Sequence, residues 1–193
     1  MPRPKSFDEG TVLDQAVQLF QERGYEGTSL ADLELHLGLG RQSLYNTFGD
    51  KQTLFLKALE RYQRAVAEGA MAQLNAPGAG LVAIRAFFEA SVKSLTAPGP
   101  RRPCLVASTI LERGSQDPDS MLRCNHARAE LERVLRRALA QAKTRGEVAP
   151  DLDVGATATL LVIQSYGLNV LAKTGASAKD LRAAVEVLLA GLR

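Results

Sequence analysis

Between positions 40 and 48 the chain reads Gly-Arg-Gln-Ser-Leu-Tyr-Asn-Thr-Phe. Arg41 and Gln42 have the paired polar atoms that engage base edges bidentately. Ser43, Tyr45, Asn46 and Thr47 have the hydroxyls and amide that bond phosphate oxygens. On a helix, Leu44 and Phe48 share one face and leave these six polar side chains on the others. Lys51 follows at the start of the next expected helix, and a lysine beside helix N-terminal amides suits a phosphate. The plainer alternative for Arg41 and Gln42 is a solvated helix start.

A second reactive group is Cys104, after Arg101-Arg102-Pro103 and at an expected helix start. Both neighbours favour a reactive thiolate; the alternative is a small buried hydrophobe. Cys104 and Cys124 are the chain's two cysteines, too few for a disulfide framework and not at a zinc spacing. No glycine-rich phosphate loop follows a strand, no metal-spaced cluster occurs and no nucleophile elbow is present. With two histidines in 193 residues, little acid–base machinery is at hand. We expect no enzyme, no cofactor and no metal.

The polar cluster needs elements to hold it, and those signals are helical throughout. Leu13, Ala16, Val17 and Phe20 form one apolar stripe that ends at Gly24, expected as a left-handed cap. Ser29-Leu30-Ala31-Asp32 reads as a capping box opening a second helix that buries Leu30, Leu33 and Leu37. Gly38-Leu39-Gly40 is a tight turn, with Leu39 as a plug between helices, and the reading helix follows. Two short helices joined this way follow the helix-turn-helix plan. Asp50 can cap a longer helix over about 51–74. Residues 76–80 are a linker and 97–103 a second breaker stretch. Further helices are expected over 81–96, from Pro103 (proline suits a first turn), over 118–144, over 153–172, and from Ser177 along Leu181, Val185, Leu188 and Leu192. The expected fold class is all-α: nine helices, with a DNA-binding unit over 1–50 and a ligand-binding and dimerisation unit over 51–193.

Composition supports a soluble globular chain, 46% hydrophobic and 23% charged. No apolar run is read as approaching the ~18 residues of a membrane span, so no membrane partner is expected. The N-terminus has no apolar signal core, so the chain is read as cytoplasmic. The net charge of +3 says less than its distribution. Residues 1–65 have eight Lys and Arg against nine Asp and Glu, so the expected DNA-binding part is not globally basic. Arg3 and Lys5 form a short basic arm that either reaches DNA or is a solvated tail.

Residues 24–54 closely resemble the TetR family of bacterial transcriptional regulators. Gly24, Tyr25, Thr28, Ser29, Asp32, Gly38, Leu44, Tyr45, Phe48, Lys51 and Leu54 stand at matching positions. Arg145-Gly146-Glu147 followed by Asp151-Leu152-Asp153 is similar to the stretch that leads into the family's penultimate helix. Glu34 and Leu37 stand where small residues are usual, and Gly40 where Ser or Thr caps the reading helix. The resemblance adds Thr28 and Ser29 to the DNA contacts. It implies a repressor bound to a palindromic operator as a homodimer through helices at about 153–192, and released by an unknown small-molecule effector. Ala156, Leu160, Ile163, Gly167, Val170, Leu171, Leu188 and Leu192 give those helices wide apolar faces, which an intramolecular core would also explain. Candidate effector contacts are Phe87, Phe88, Ser91, Leu95, Cys104, Ile110, Met121, His126, Gln164 and Tyr166, each of which plain packing would equally account for. One branch of the family has Gly-Cys-Leu where this chain has Pro-Cys-Leu, and some members sense electrophiles. Thiol sensing through Cys104 is therefore an alternative, as is a helical interaction protein that does not touch DNA.

Overall fold

The computed structural model describes residues 7–114 and 116–193. Arg3 and Lys5 lie outside the described residues. Ten helices and no strand occur among them. These are α1 (Glu9–Arg23), α2 (Leu30–Leu37), α3 (Arg41–Phe48), α4 (Lys51–Glu68), α5 (Ala72–Asn75), α6 (Leu81–Leu95), α7 (Leu105–Arg113), α8 (Pro118–Thr144), α9 (Val154–Lys173) and α10 (Ala178–Ala190).

The tenth helix arises where one long helix over 51–74 was expected. Gly69 leaves helical geometry at φ −100°, ψ −94°, and the chain resumes as α5. The break carries Met71 and Leu74 into the core, at 5% and 0% exposure. Burial of two large side chains therefore decides against a continuous helix where glycine already weakens it.

The caps follow local chemistry. Asp8, Ser29, Asp50, Asp117, Asp153 and Ser177 each accept a first-turn amide. Ser29 and Asp32 form the full reciprocal box. Two expected caps differ. Gly24 has φ 76° but ψ 178°, which is not the left-handed helical form; Gly38, at φ 64° and ψ 25°, supplies that one. Pro103 lies outside α7, whose N-cap is Cys104. Its carbonyl accepts from Gln21 Nε2 at 2.8 Å, which ties this stretch to α1.

Two apolar cores result. One joins α1–α3 to Leu54, Phe55, Ala58 and Leu59 of α4, and to Leu105, Val106 and Cys124 beyond. It does not close at residue 50. The other is built by α5, α6, α8, α9 and α10. Tyr166 packs against both.

Helix α9 is apolar on two sides. Ala158, Leu161, Val162, Leu168 and Ala172 face the core, while Ala156, Leu160, Ile163, Gly167, Val170 and Leu171 are exposed. Contrary to the sequence expectation, it is long and apolar enough to cross a membrane, with a mean hydropathy of 1.4. Its packed side is that of a core helix. Leu192, expected on the outer face, is 3% exposed, and its carbonyl accepts from Ala149 N at 2.9 Å.

Candidate DNA-reading head and effector cleft

The α2–turn–α3 unit is organised from its apolar side. Leu44 and Phe48 are each 1% exposed, and Leu39 sits half-buried against the same core. This turns Arg41, Gln42, Ser43, Tyr45 and Asn46 outward, with Thr47 half-buried at the edge. The face is partly preordered. Gln42 Nε2 donates to Asn46 Oδ1 at 2.9 Å, and the Arg41 guanidinium lies 6.0 Å from the Tyr45 ring centroid. Gly40 gives α3 no side-chain cap.

Three other expected DNA contacts are placed differently. Thr28 is fully buried; its hydroxyl donates to the Gly24 carbonyl at 2.6 Å, so it braces the turn and offers no surface atom. Ser29 is exposed, but its hydroxyl is engaged with Asp32. The Lys51 ammonium is folded over the Tyr25 ring, 4.1 Å from the centroid, and burial pulls its pKa below the ordinary lysine value. Cation–π contact with a half-buried ring competes there with an extended, DNA-facing rotamer.

A polar clasp joins this head to α7 and α8. Glu112 accepts the amides of Tyr25 and Glu26 at 2.9 and 2.7 Å. Arg113 stacks 3.7 Å from the Tyr25 ring centroid and pairs with Glu26 at 2.8 Å. It also reaches Gln52 at 3.1 Å and Asp117 at 3.0 Å. Burial works against charge on Asp117, but hydrogen bonds from Ser120, Gln52 and Arg113 outweigh it and hold this carboxyl well below the usual carboxylate range. The positive φ of 76° at Gly24 favours glycine, and a Cβ there would also push the Glu112 carboxylate, 2.7 Å away, off its place in the clasp.

Between the two cores lies a cleft of about 470 Å³, walled by α4, α6, the start of α7, α8 and α9. Phe87, Ser91, Leu95, Cys104, His126 and Tyr166 line it as expected candidates. Four others do not. Phe88 is wholly buried in the second core, and Ile110 packs half-buried on the first. Met121 stands near Gly114, and Gln164 points off the wall. Tyr62, Gln63, Val66, Met71, Ser165 and Asn169 line the cleft and were not anticipated. Ser165 and Asn169, polar at i and i+4 within an apolar helix, were a readable signal. Asn169 Oδ1 accepts the Cys104 amide at 2.6 Å and its Nδ2 donates to Ser165 O at 2.8 Å. The arginines expected to act on Cys104 turn elsewhere: Arg101 to the Ala172 carbonyl, Arg102 to Glu22 at 2.9 Å. Cys124 is wholly buried, and burial pushes its thiol up to about 12.

A helix-turn-helix with a polar outer face, joined to a helical bundle with a cleft, can be compared with known proteins. Residues 12–58 match the family model of the bacterial regulatory proteins of the tetR family. Residues 80–188 match the tetracyclin repressor-like C-terminal domain. The chain belongs to the TetR family. This TetR-family chain is 37% identical over its full length, and that of its relative, to an uncharacterized HTH-type transcriptional regulator, YezE, of Bacillus subtilis. It is 35% identical to the HTH-type transcriptional repressor ComR of Escherichia coli, over 93% of this chain and 86% of that one. Its fold matches a cysteine mutant of the TetR family regulator CifR complexed with 26-base-pair operator DNA. There the TM-score is 0.85 and the identity 30%, over 99% of this chain and all of the other. Like these relatives, the chain is a transcriptional regulator with an all-helical, DNA-binding architecture.

Proposed function

We propose that this regulator is a repressor that binds a palindromic operator as a homodimer and is released when a small molecule occupies the cleft. The observation that carries the reading is the exposed Arg41–Asn46 face on a helix whose other side is locked by Leu44 and Phe48. The repressor ComR and the operator-bound CifR mutant support it by similarity. Residues 1–50 serve as the reading unit and 51–193 as the ligand-binding and dimerisation unit, with α4 running from one to the other. The protein acts in the cytoplasm, by binding rather than by catalysis.

The exposed stripe Leu160, Ile163, Val170 and Leu171 of α9, together with Val187 of α10 at 75% exposure, is the dimer face. A patch of this kind marks an interaction site. Two-fold pairing would set the α3 helices about 34–36 Å apart, in successive major grooves. The effector must bind the released state better, and a coupling of about 1–3 kcal/mol lowers operator affinity roughly 5–150-fold. Because Cys104 lines the cleft, covalent thiol modification is a second route to the same release.

The test is fluorescence anisotropy with DNA from the gene's own upstream region at two salt concentrations. Arg41→Ala with Tyr45→Ala should abolish specific binding and leave the dimer intact by sedimentation. Retained specific binding would overturn the α3 assignment. Loss of binding on alkylation that Cys104→Ser resists would favour the thiol route.

A further inference from the structure

The cleft's wall is sorted by polarity along its length. Met71, Phe87, Leu95 and Leu131 belong to the second core and keep only 5–7% exposure each. They form an apolar end. At the other end, beside the first core, Tyr62 and Tyr166 meet Cys104. The Tyr62 hydroxyl is already hydrogen-bonded to the Cys104 side chain and the Leu105 backbone, and burial first, then the neighbouring thiol, raises the pKa of both phenols. They therefore stay protonated hydrogen-bonding groups at neutral pH.

Formal charge on the wall is confined to the rim and largely spoken for. Arg102 pairs with Glu22 at 2.9 Å, and Glu130 with Arg133 at 2.6 Å. His126 is exposed. The other polar groups are neutral, and several are already satisfied. Ser91 donates to the Phe87 carbonyl, Gln63 to the Arg123 carbonyl, and Asn169 bonds through both ends of its amide. A charged ligand seated between the two ends would bury its charge among neutral groups, while the charged groups around the cleft already have partners, which costs more than burying a hydrogen-bonded neutral group.

We propose that the cleft takes an uncharged, largely apolar molecule with a single hydrogen-bonding oxygen at one end. The oxygen sits at the Tyr62–Tyr166 end and the hydrocarbon body lies along Met71, Phe87, Leu95 and Leu131. The cleft volume lies within the usual range for small-molecule sites, about 300–1,000 Å³. The proposal rests on the cleft being the effector site, yet binding can be measured without DNA.

The experiment is calorimetric titration of the full-length protein at pH 7 with three probes of one shape: 4-phenylphenol, 4-phenylbenzoate and 4-phenylbenzylammonium. The phenol should bind saturably, and the two ions at least about tenfold more weakly. Tyr166→Phe should weaken the phenol roughly fivefold, the effect of one neutral hydrogen bond. Ser91→Phe, which fills the cleft from α6, should abolish binding while thermal unfolding shows a folded protein. An ion binding as tightly as the phenol would overturn the proposal. So would a phenol that does not bind at millimolar concentration, or whose binding Ser91→Phe leaves unchanged. If the phenol ranks first but operator affinity does not respond to it, the ligand class stands and the effector reading of the cleft fails.

Discussion

The reading head and the cleft are both framed by helices, but they are held by different kinds of contact. Apart from the clasp, the bonds that cap and turn the helices of the head join residues three or four apart: Ser29 to Asp32, Thr28 to Gly24, Asp50 to Thr53, Gln42 to Asn46. At the cleft, beside local bonds such as Ser91 to Phe87, others join residues far apart: Gln63 to Arg123, Gln21 to Pro103, Cys104 to Asn169. The head is also filled, its aromatics packed edge to face, with Phe20 and Phe55 centroids 5.0 Å apart. The cleft is a gap between two cores. A reading surface works by presenting one rigid shape, whereas a ligand site must leave space that packing would otherwise remove.

The sharpest way to break this contrast is a pair of truncations. Phe48→Ala should cost about 3–5 kcal/mol, because a side chain enclosed on all sides leaves an empty cavity. Phe87→Ala should fall below that range, at about 2 kcal/mol, because one side of its ring already borders the cleft. Urea unfolding of both variants gives the comparison. Equal losses would mean that the cleft closes in solution and that its wall is packed like the head.

The same contrast explains what could be read from the sequence. The capping box, the glycine turn, the inward pair Leu44 and Phe48 and the outward polar set all follow from spacings within one or two helical turns. Two placements in the head come from competition that spacing does not show. Thr28 is drawn into the turn by the Gly24 carbonyl, and Lys51 is drawn onto Tyr25. At the cleft, the aromatic and polar residues of α6 were legible as candidates, but Tyr62 and Met71 were not. The placement of Tyr62 depends on how α4 packs on α8, and that of Met71 on the break at Gly69. Phe88, the neighbour of Phe87, is wholly buried in the second core and does not line the cleft. Adjacent helical residues lie about 100° apart, and only the packed bundle decides which of them meets the gap.

The clasp between the two regions gives the next largest effect. Glu112→Ala would leave the Tyr25 and Glu26 amides without their acceptor, a loss of about 1–3 kcal/mol. Hydrogen exchange at those two amides should accelerate while the amides of α9 and α10 remain protected. Faster exchange across the whole molecule would mean that the clasp supports the global fold rather than the seating of the head.

Asp117 tests the clasp through pH. Folding lowers the pKa of this carboxyl, so its ionised form stabilises the fold at neutral pH. That contribution is complete above the unfolded carboxylate range, near ~4, and is lost as pH falls through it toward the folded value. Asp117→Asn removes the titration but keeps an oxygen to cap α8. The gap in urea midpoint between wild type and Asp117→Asn should therefore shrink from pH 7 to pH 3. A constant gap would mean that folding does not lower the pKa of this carboxyl.

The smallest effect separates the two roles open to Ser29. As the N-cap of α2, its loss in Ser29→Ala should cost about 1 kcal/mol, and Ser29→Asn should restore that stability, since asparagine caps as well as serine. Operator affinity then discriminates. If the hydroxyl only caps, Ser29→Asn restores affinity together with stability, because α3 is again held in place. If the hydroxyl also touches a phosphate, the asparagine variant is stable but still binds weakly. The engagement of that hydroxyl with Asp32 favours the first outcome. A stable Ser29→Asn protein with reduced operator affinity would instead mean that Asp32 releases the hydroxyl when DNA arrives, so that the head rearranges on binding.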